Sequence, residues 1–225
     1  MPSVLGAQWR APDAPDRPTV ERRCGIDRRQ LAEDGLKAVT GLALPYRPLL
    51  APASEGACIV CRSVSDAKDL DTYRKIRHRV FVEEQAIFPD TDIDDRDADP
   101  AVIRLLGYCD GVAAGCVRLF VVDENAGLWQ GDRLAVLAPY RTRGVGAPLV
   151  RCAVATAGVH GGLRMIAHIQ LANVAFFRRL GWAAAGEREV YVGRLHQPMS
   201  MSLPTAEDGA AVVARLAAGI TSRDR

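Results

Sequence analysis

The stretch from residue 129 to 147 constrains the fold of this chain more than any other. Its apolar run Leu134–Ala138 predicts a strand, and the motif Arg141-x-x-Gly144-x-Gly146 follows directly. An amphipathic helix is predicted next, over about 145–159. The backbone N–H groups of residues 142–147 then lie at a helix N-terminus, where the helix dipole favours an anion. We therefore expect a phosphate there, and with it a nucleotide-type cofactor.

Composition is that of an ordinary globular protein. Of the 225 residues, 48% are hydrophobic and 25% are charged, and a formal charge of +2 gives no general attraction to nucleic acid. No apolar run is long enough for a membrane span, and the N-terminus lacks the pattern of a signal peptide. The six cysteines are widely spaced, which favours buried thiols in a reducing compartment. We expect a cytoplasmic protein without a membrane partner.

The motif Cys58-x-x-Cys61 could indicate a metal or redox site. It lies on a predicted strand, however, and residues three apart on a strand point to opposite faces. No second cysteine pair follows it. We therefore predict no metal site.

Three regions are predicted along the chain. Residues 1–55 are rich in Pro, Arg, Asp and Ala, and we expect a partly disordered arm with a short helix over about 28–39. Residues 56–204 alternate between strand and helix patterns. Residues 205–225 carry a C-terminal helix and tail, with an apolar face of Ala211, Val212, Leu216 and Ile220.

Within the central region, the hydrophobic periodicity predicts an α/β (α+β) domain around a mostly antiparallel sheet. Asp110-Gly111 between two apolar runs predicts a tight hairpin. In the helix over 145–159, Val145, Leu149, Cys152, Thr156 and Val159 are expected to face the core. Strands are predicted at about 57–63, 102–109, 112–122, 131–138 and 163–169, with one or two more before 203, and helices at about 67–83, 145–159, 172–180 and 205–219.

Two motifs resemble the GNAT superfamily of acetyl-CoA-dependent acyltransferases, and the resemblance covers about residues 57–203. The first is the glycine motif at 141–146. The second is an Asn followed by Phe-Tyr-x-x-Leu-Gly-Phe, which is similar to Asn173-Val-Ala-Phe176-Phe177-Arg-Arg-Leu180-Gly181-Trp182. The resemblance implies a GNAT fold, in which strands four and five of the sheet splay apart between flanking helices.

The resemblance also implies acetyl-CoA as the acyl donor and assigns its contacts. Amides of the glycine loop would bind the pyrophosphate, and a bulged fourth strand would offer amides to the pantetheine and the acetyl carbonyl. Asn173 and Phe176 would lie against the CoA arm. The implied set is Leu134, Ala135, Val136, Arg141, Thr142, Arg143, Gly144, Val145, Gly146, Ala147, Asn173 and Phe176.

Three separated segments resemble one branch of this superfamily, the acetyltransferases linked to nitrogen starvation whose genes neighbour a nitrilase gene. They are Arg77–Gln85, Leu128–Val136 and Val192–Met199. This likeness implies a role in nitrogen metabolism without naming the acceptor. Homodimers are common in the superfamily, and the apolar C-terminal segment would suit one.

An amine acceptor must lose a proton during attack, so a base is needed near the acetyl group. Glu83 and Glu84, at the end of the first long helix, are candidates, and a solvated acidic helix end is the alternative. Asp132 is a third, although it could instead form an ion pair with Arg118 or Arg133. His168 is a fourth, with His196 and Tyr191 as further proton-transfer groups, and each histidine could be structural. The acidic loop over 86–100 is expected to attract a cationic amine.

One departure from the superfamily pattern leaves the chemistry open. Many of these enzymes use a Tyr as the acid for the CoA thiolate where this chain has Phe177, which cannot donate a proton. The first hypothesis is direct acetyl transfer to a small amine. The second is a non-catalytic acyl-CoA sensor or partner subunit. The third is transfer of a longer acyl group, because the helix motif Arg77-x-x-Val80-Phe81 with its spaced acids also resembles the acyl-homoserine lactone synthases.

Overall fold

The computed structural model describes residues 56–221, so the arm predicted over 1–55, its helix over 28–39 and residues 222–225 lie outside the described part. Asp66 caps the first helix by accepting a hydrogen bond from the Asp69 N–H at 2.7 Å, as its position before that helix suggests. The elements in chain order are β1 (Ile59–Ser63), α1 (Ala67–Arg77), β2 (Ile103–Cys109), β3 (Val112–Asp123), β4 (Leu128–Val136), α2 (Gly146–Val159), β5 (Arg164–Gln170), α3 (Val174–Arg179), β6 (Ala183–Ala184), β7 (Glu189–Tyr191), β8 (Arg194–Ser202) and α4 (Ala206–Ala218).

The strands form one mixed sheet in the order β1-β2-β3-β4-β5-β8-β6, with β7 also paired to β8. Every pairing is antiparallel except that of β4 with β5. The hairpin between β2 and β3 turns at Asp110 and Gly111, whose φ angles of 50° and 80° are those of a type I′ turn. The predicted hairpin and the mostly antiparallel sheet are confirmed.

Helices cover both faces of this sheet. Because successive strand residues point to opposite faces, Leu105 on β2 joins one apolar cluster and Leu106 joins the other. Tyr73 and Ile76 of α1 belong to the second cluster, whereas α2 and α4 pack on the opposite face. None of the helices within residues 56–221 combines the length and apolar character that crossing a bilayer demands.

The first helix matches its predicted span of about 67–83, because α1 continues beyond Arg77 as a π-helical segment, His78–Glu84. Some core-facing predictions for the later helices were wrong, since Val159 at the end of α2 is exposed. In α4, Val212 is exposed, while Gly209 and Leu216 are buried. Gly209 decides this orientation because a Cβ there would lie 2.7 Å from the Ala155 carbonyl oxygen. The helices α2 and α4 therefore pack together at Gly209, and this contact turns Ala211 and Val212 outward.

Candidate active site

The parallel strands β4 and β5 are the first determinant of the candidate site. They pair over three residues each, Leu128–Gln130 with Arg164–Ile166, and no ladder joins them beyond Gln130. The opening between them contains a pocket with an empty volume of about 930 Å³, its open mouth included. The lining comes from the π-helical segment and the turn after it, β4, α2, β5, α3 and the β7–β8 hairpin.

A β-bulge lies in the part of β4 that borders this pocket. Cys116 of β3 faces Ala135 and Arg118 faces Asp132, so Val117 alone stands opposite both Arg133 and Leu134. Arg133 accordingly has a positive φ of 51°. The bulge lies where the superfamily resemblance predicted one. Beyond it, Leu134–Val136 has no strand partner within residues 56–221 on the side that faces β5.

The glycine motif forms the turn from β4 into α2. Gly144 has a φ of 82°, which suits glycine, and α2 begins at Gly146 without any side chain capping its N-terminus. Its first-turn amides therefore remain available to an anion. A Cβ on Gly146 would lie 3.4 Å from the Phe176 ring. The two motifs that carried the resemblance thus meet in space.

An ion pair joins this turn to the π-helical segment. The Arg141 Nη1 lies 2.6 Å from the Glu84 Oε1, and its Nη2 donates to the other carboxylate oxygen at 2.8 Å. The Arg141 Nε also donates to the Val136 carbonyl oxygen at 3.0 Å. Glu84 is therefore held at the glycine turn rather than in the pocket lining. Glu83 pairs with Arg79 and His78 and also lies outside the lining.

Asp132 lines the pocket, but both of its carboxylate oxygens are engaged. Each accepts a hydrogen bond of 2.7 Å from Arg118, whose side chain is 1% exposed. Arg118 also holds the Asp94 carboxylate through contacts of 2.5 and 2.7 Å. Of the two roles the sequence left open for Asp132, the geometry therefore favours the ion pair.

The acidic loop contributes much of its charge to this buried network. Asp92 and Asp97 bind Arg77, which is fully buried, at 2.6 and 2.5 Å. Burial acts to raise the pKa of Asp97, but hydrogen bonds and charge from Arg77 outweigh it and lower that pKa to about 2. The expectation that the whole loop attracts a cationic amine was therefore wrong for Asp92, Asp94 and Asp97, because they neutralise buried arginines.

His168 is the candidate base that the structure places in the pocket wall without an arginine partner. Its Nδ1 is in close contact with the Glu189 carboxylate, and its ring stacks on Tyr191 with centroids 4.3 Å apart. Tyr191 in turn meets the edge of His196 at 5.5 Å. Sequence reasoning missed Glu189, because a single Glu in a charged turn carries no distinguishing pattern. Its role is visible only after β7 pairs with β8.

The opposite wall of the pocket is aromatic and apolar. Asn173 lies in the lining, while Phe177 is buried and packs edge-on against Trp182 at 5.3 Å and Phe176 at 5.4 Å. The Phe177 ring thus fills the position at which the superfamily resemblance leads one to expect a tyrosine hydroxyl. A dedicated acid must come from elsewhere in the site.

The five cysteines within residues 56–221 lie outside the pocket lining. Cys58 is exposed and Cys61 is buried, as the strand geometry predicted, and Cys152 is buried on α2. The hydrogen bond that the Cys61 thiol donates to the Cys152 sulfur, together with burial, raises the pKa of Cys61. Across residues 56–221, no three His, Cys, Asp or Glu side chains are grouped so as to hold a metal ion.

Comparison with known proteins gives a consistent result. The family model described as the acetyltransferase (GNAT) family matches residues 70–182. A Bacillus subtilis protein named as an acetyltransferase is 27% identical over 140 residues, which span 62% of this chain and 93% of that protein. Escherichia coli ElaA shares the fold with a TM-score of 0.56 and 22% identity, covering 63% of this chain and 98% of ElaA.

A second protein of this fold has been solved with a longer acyl-CoA bound. The CoA-dependent acyl-homoserine lactone synthase BjaI, in complex with SAM and isopentyl-CoA, has a TM-score of 0.54 and 18% identity. The match covers 72% of this chain and 90% of BjaI. At this identity the likeness concerns the fold.

Proposed function

This chain is an acyltransferase of the acetyltransferase (GNAT) family, and we propose that it transfers an acetyl group from acetyl-CoA to the amine of a small acceptor. One observation carries the proposal: the bulge of β4 and the His168 side chain border the same opening between β4 and β5, and the turn after β4 leads directly into the uncapped N-terminus of α2. An anion site, backbone groups on the open side of a strand and a proton acceptor are the groups that direct acyl transfer needs.

We propose that donor binding uses the glycine turn and the free side of β4. The amides of residues 142–147 would hold the pyrophosphate, with Arg143 adding charge, while Arg141 is paired with Glu84 and braces the turn. The amides of residues 134–136 would bind the pantetheine and polarise the thioester carbonyl as negative charge develops on its oxygen. Asn173 and Phe176 would lie along the CoA arm.

His168 is our proposed general base. With its Nδ1 directed to Glu189, the neutral ring keeps Nε2 as a proton acceptor, and an imidazole can take a proton near neutral pH. As the amine nitrogen bonds to the carbonyl carbon, His168 takes the proton that the nitrogen loses. Glu189 orients the ring and stabilises the imidazolium that forms.

Tyr191 is our proposed acid, in place of the tyrosine that Phe177 replaces. Burial raises the pKa of Tyr191, so its phenol stays protonated at neutral pH. When the carbon–sulfur bond breaks, Tyr191 would give its proton to the departing thiolate, and the proton that His168 took from the amine keeps the site's proton count unchanged. The net change is an amide and a free thiol from an amine and a thioester.

Two alternatives have specific support. Phe177 favours a non-catalytic acyl-CoA sensor, which would bind acyl-CoA and show no turnover with any amine. A longer acyl donor is favoured by the apolar inner end of the pocket, lined by Ala153, Met165 and Phe177. Placement in nitrogen metabolism and as a homodimer rests on the resemblance, placement in the cytoplasm rests on the composition and the cysteine pattern, and all three stay predictions.

Isothermal titration with acetyl-CoA and with CoA tests the donor site. We expect micromolar binding to the wild type and its loss in Gly144→Trp, because the indole would fill the phosphate cradle. Gly161→Trp is the matched control: Gly161 has a similar φ of 78° at the other end of α2, with open space around it. Failure of CoA and acetyl-CoA to bind the folded wild-type protein would overturn the proposal.

Turnover with a panel of amines, measured as release of the free CoA thiol, tests whether His168 is the general base. His168→Gln keeps a hydrogen-bonding side chain but cannot take the proton, so kcat should fall about 10²- to 10⁴-fold with acetyl-CoA affinity unchanged. His78→Gln is the control, since His78 is exposed on the π-helical segment. Equal kcat for wild type and His168→Gln would rule His168 out as the base.

A further inference from the structure

The pocket between β4 and β5 and a second groove share part of their lining. The inner end of the pocket between β4 and β5 is apolar. A second, open groove lies along α2, and its lining includes Val150, Val154, Trp182, Met201 and Leu203. Val150 and Trp182 are the residues common to both linings. We call these two side chains the partition.

The position of Trp182 follows from the end of α3. Gly181 adopts a φ of 89°, and the Trp182 N–H then donates to the Phe177 carbonyl oxygen at 3.1 Å. This turn brings the indole against the Phe177 ring, where it is 4% exposed. Val150, one turn along α2 from Gly146, is likewise buried.

The Trp182 indole has an unusual feature for a wall residue. Its Nε1 is buried and has no hydrogen-bond partner among the described residues. Most buried N–H groups have a hydrogen-bond partner. Phe or Leu would therefore fill this space at a lower cost than a Trp whose N–H is unpaired. The unpaired donor is in keeping with a side chain that borders a space which another molecule enters.

We propose that Trp182 and Val150 set the longest acyl chain that the donor pocket accepts. The inference rests on the proposed function, in which the thioester carbonyl lies at the bulge of β4. An acyl chain that extends from there into the apolar end of the pocket meets the partition. Behind the partition lies the open groove, whose lining is also largely apolar, so a smaller side chain at either position connects the two spaces.

The test measures binding, because the acceptor is not needed for it. Dissociation constants for CoA and for acetyl-, butyryl-, hexanoyl-, octanoyl- and decanoyl-CoA are determined by titration calorimetry. The opening variants are Val150→Ala and Trp182→Ala. The matched controls are Val154→Ala, a buried valine on the same helix that lines the groove alone, and Trp182→Phe, which keeps an aromatic wall.

We expect the wild type to show a chain length beyond which affinity drops, and both opening variants to move that limit to longer chains. Each methylene newly accommodated should tighten binding roughly fourfold, so two give more than tenfold. The controls should keep the wild-type limit. If Trp182→Ala does not fold by circular dichroism, Val150→Ala alone decides.

Two outcomes separate the possible failures. If no CoA thioester binds the wild type, the proposed function fails, and the partition fails with it. If acetyl-CoA binds but the opening variants keep the wild-type length limit, or Val154→Ala moves it equally, the partition does not set chain length while the donor site stands.

Discussion

Asp97 provides a direct test of the buried charge network that fixes the acidic loop. Its Oδ1 binds the Arg77 Nη1 at 2.5 Å, and its Oδ2 lies 3.0 Å from the Arg77 Nη2 and 3.2 Å from the Arg118 Nη1. The same oxygen accepts the Asp94 backbone N–H at 3.1 Å. The substitution Asp97→Asn keeps the shape of the side chain and removes the charge that both arginines face.

The expected loss can be estimated in two ways. A carboxyl whose pKa falls from 3.8 to about 2 on folding stabilises the native state by about 2 kcal/mol at neutral pH. Removing one partner of a buried ion pair costs about 3–5 kcal/mol, but Arg77 keeps Asp92 as a second partner. We therefore expect a loss of about 2–3 kcal/mol, equivalent to a Tm about 4–12 °C lower.

Thermal unfolding followed by circular dichroism at pH 7 measures this loss. Asp95→Asn is the matched control, because Asp95 lies in the same short helical turn and is exposed. Its Tm should stay within about 2 °C of the wild type, in line with the small effects of surface substitutions. Equal Tm values for the two variants would refute the idea that Asp97 neutralises the buried arginines.

The same network predicts how stability depends on pH. Because the folded pKa of Asp97 is below the unfolded value, its contribution is fully present above about pH 5 and is lost as the pH falls toward 2. The Tm difference between wild type and Asp97→Asn should therefore shrink steadily between pH 5 and pH 3. A constant difference over this range would show that the carboxylate charge is not what stabilises the loop.

Three further substitutions test local features by urea unfolding. Gly158→Ala should destabilise the fold by about 1–3 kcal/mol despite the better helix propensity of Ala, because its Cβ would lie 2.6 Å from the Pro204 carbonyl oxygen. An unchanged urea midpoint would show that α2 and the segment around Pro204 can move apart freely. Thr205→Ala should cost about 1 kcal/mol through loss of the α4 cap, and Thr205→Ser should cost less. Gly111→Val should cost about 1–2 kcal/mol because of the positive φ, with Gly111→Asn cheaper; equal costs would contradict a conformational cause.

Local patterns predicted the framework of this molecule well. Asp110-Gly111 determined a hairpin because two positive φ angles are costly for most other residue pairs. The glycines at 144 and 146 placed a turn and a helix start between β4 and α2 for similar steric reasons. Such features depend on a few neighbouring residues, so they can be inferred before the fold is known.

Features that depend on distant partners could not be predicted in this way. The acids at 92, 94 and 97 were expected to attract a cationic amine, because the arginines that they neutralise come from α1, β3 and β4 and are distant in sequence. Glu189 gained its place beside His168 only through the pairing of β7, β8 and β5. The predicted apolar face of the C-terminal helix was right for Leu216 and Ile220 and wrong for Ala211 and Val212, because apolar content did not reveal that Gly209 makes the close contact.

The bulge in β4 also fixes how many residues the chain must have between Asp132 and Ala135. In an unbroken strand, Asp132 and Arg133 would point to opposite faces, yet Asp132 binds Arg118 and Arg133 binds Asp94, which Arg118 also holds. Deleting one residue here would restore simple alternation and carry one of the two side chains through the sheet. We therefore expect the loops of this enzyme to tolerate changes in length. The number of residues between Asp132 and Ala135, in contrast, should be as strictly required as the identity of any single side chain.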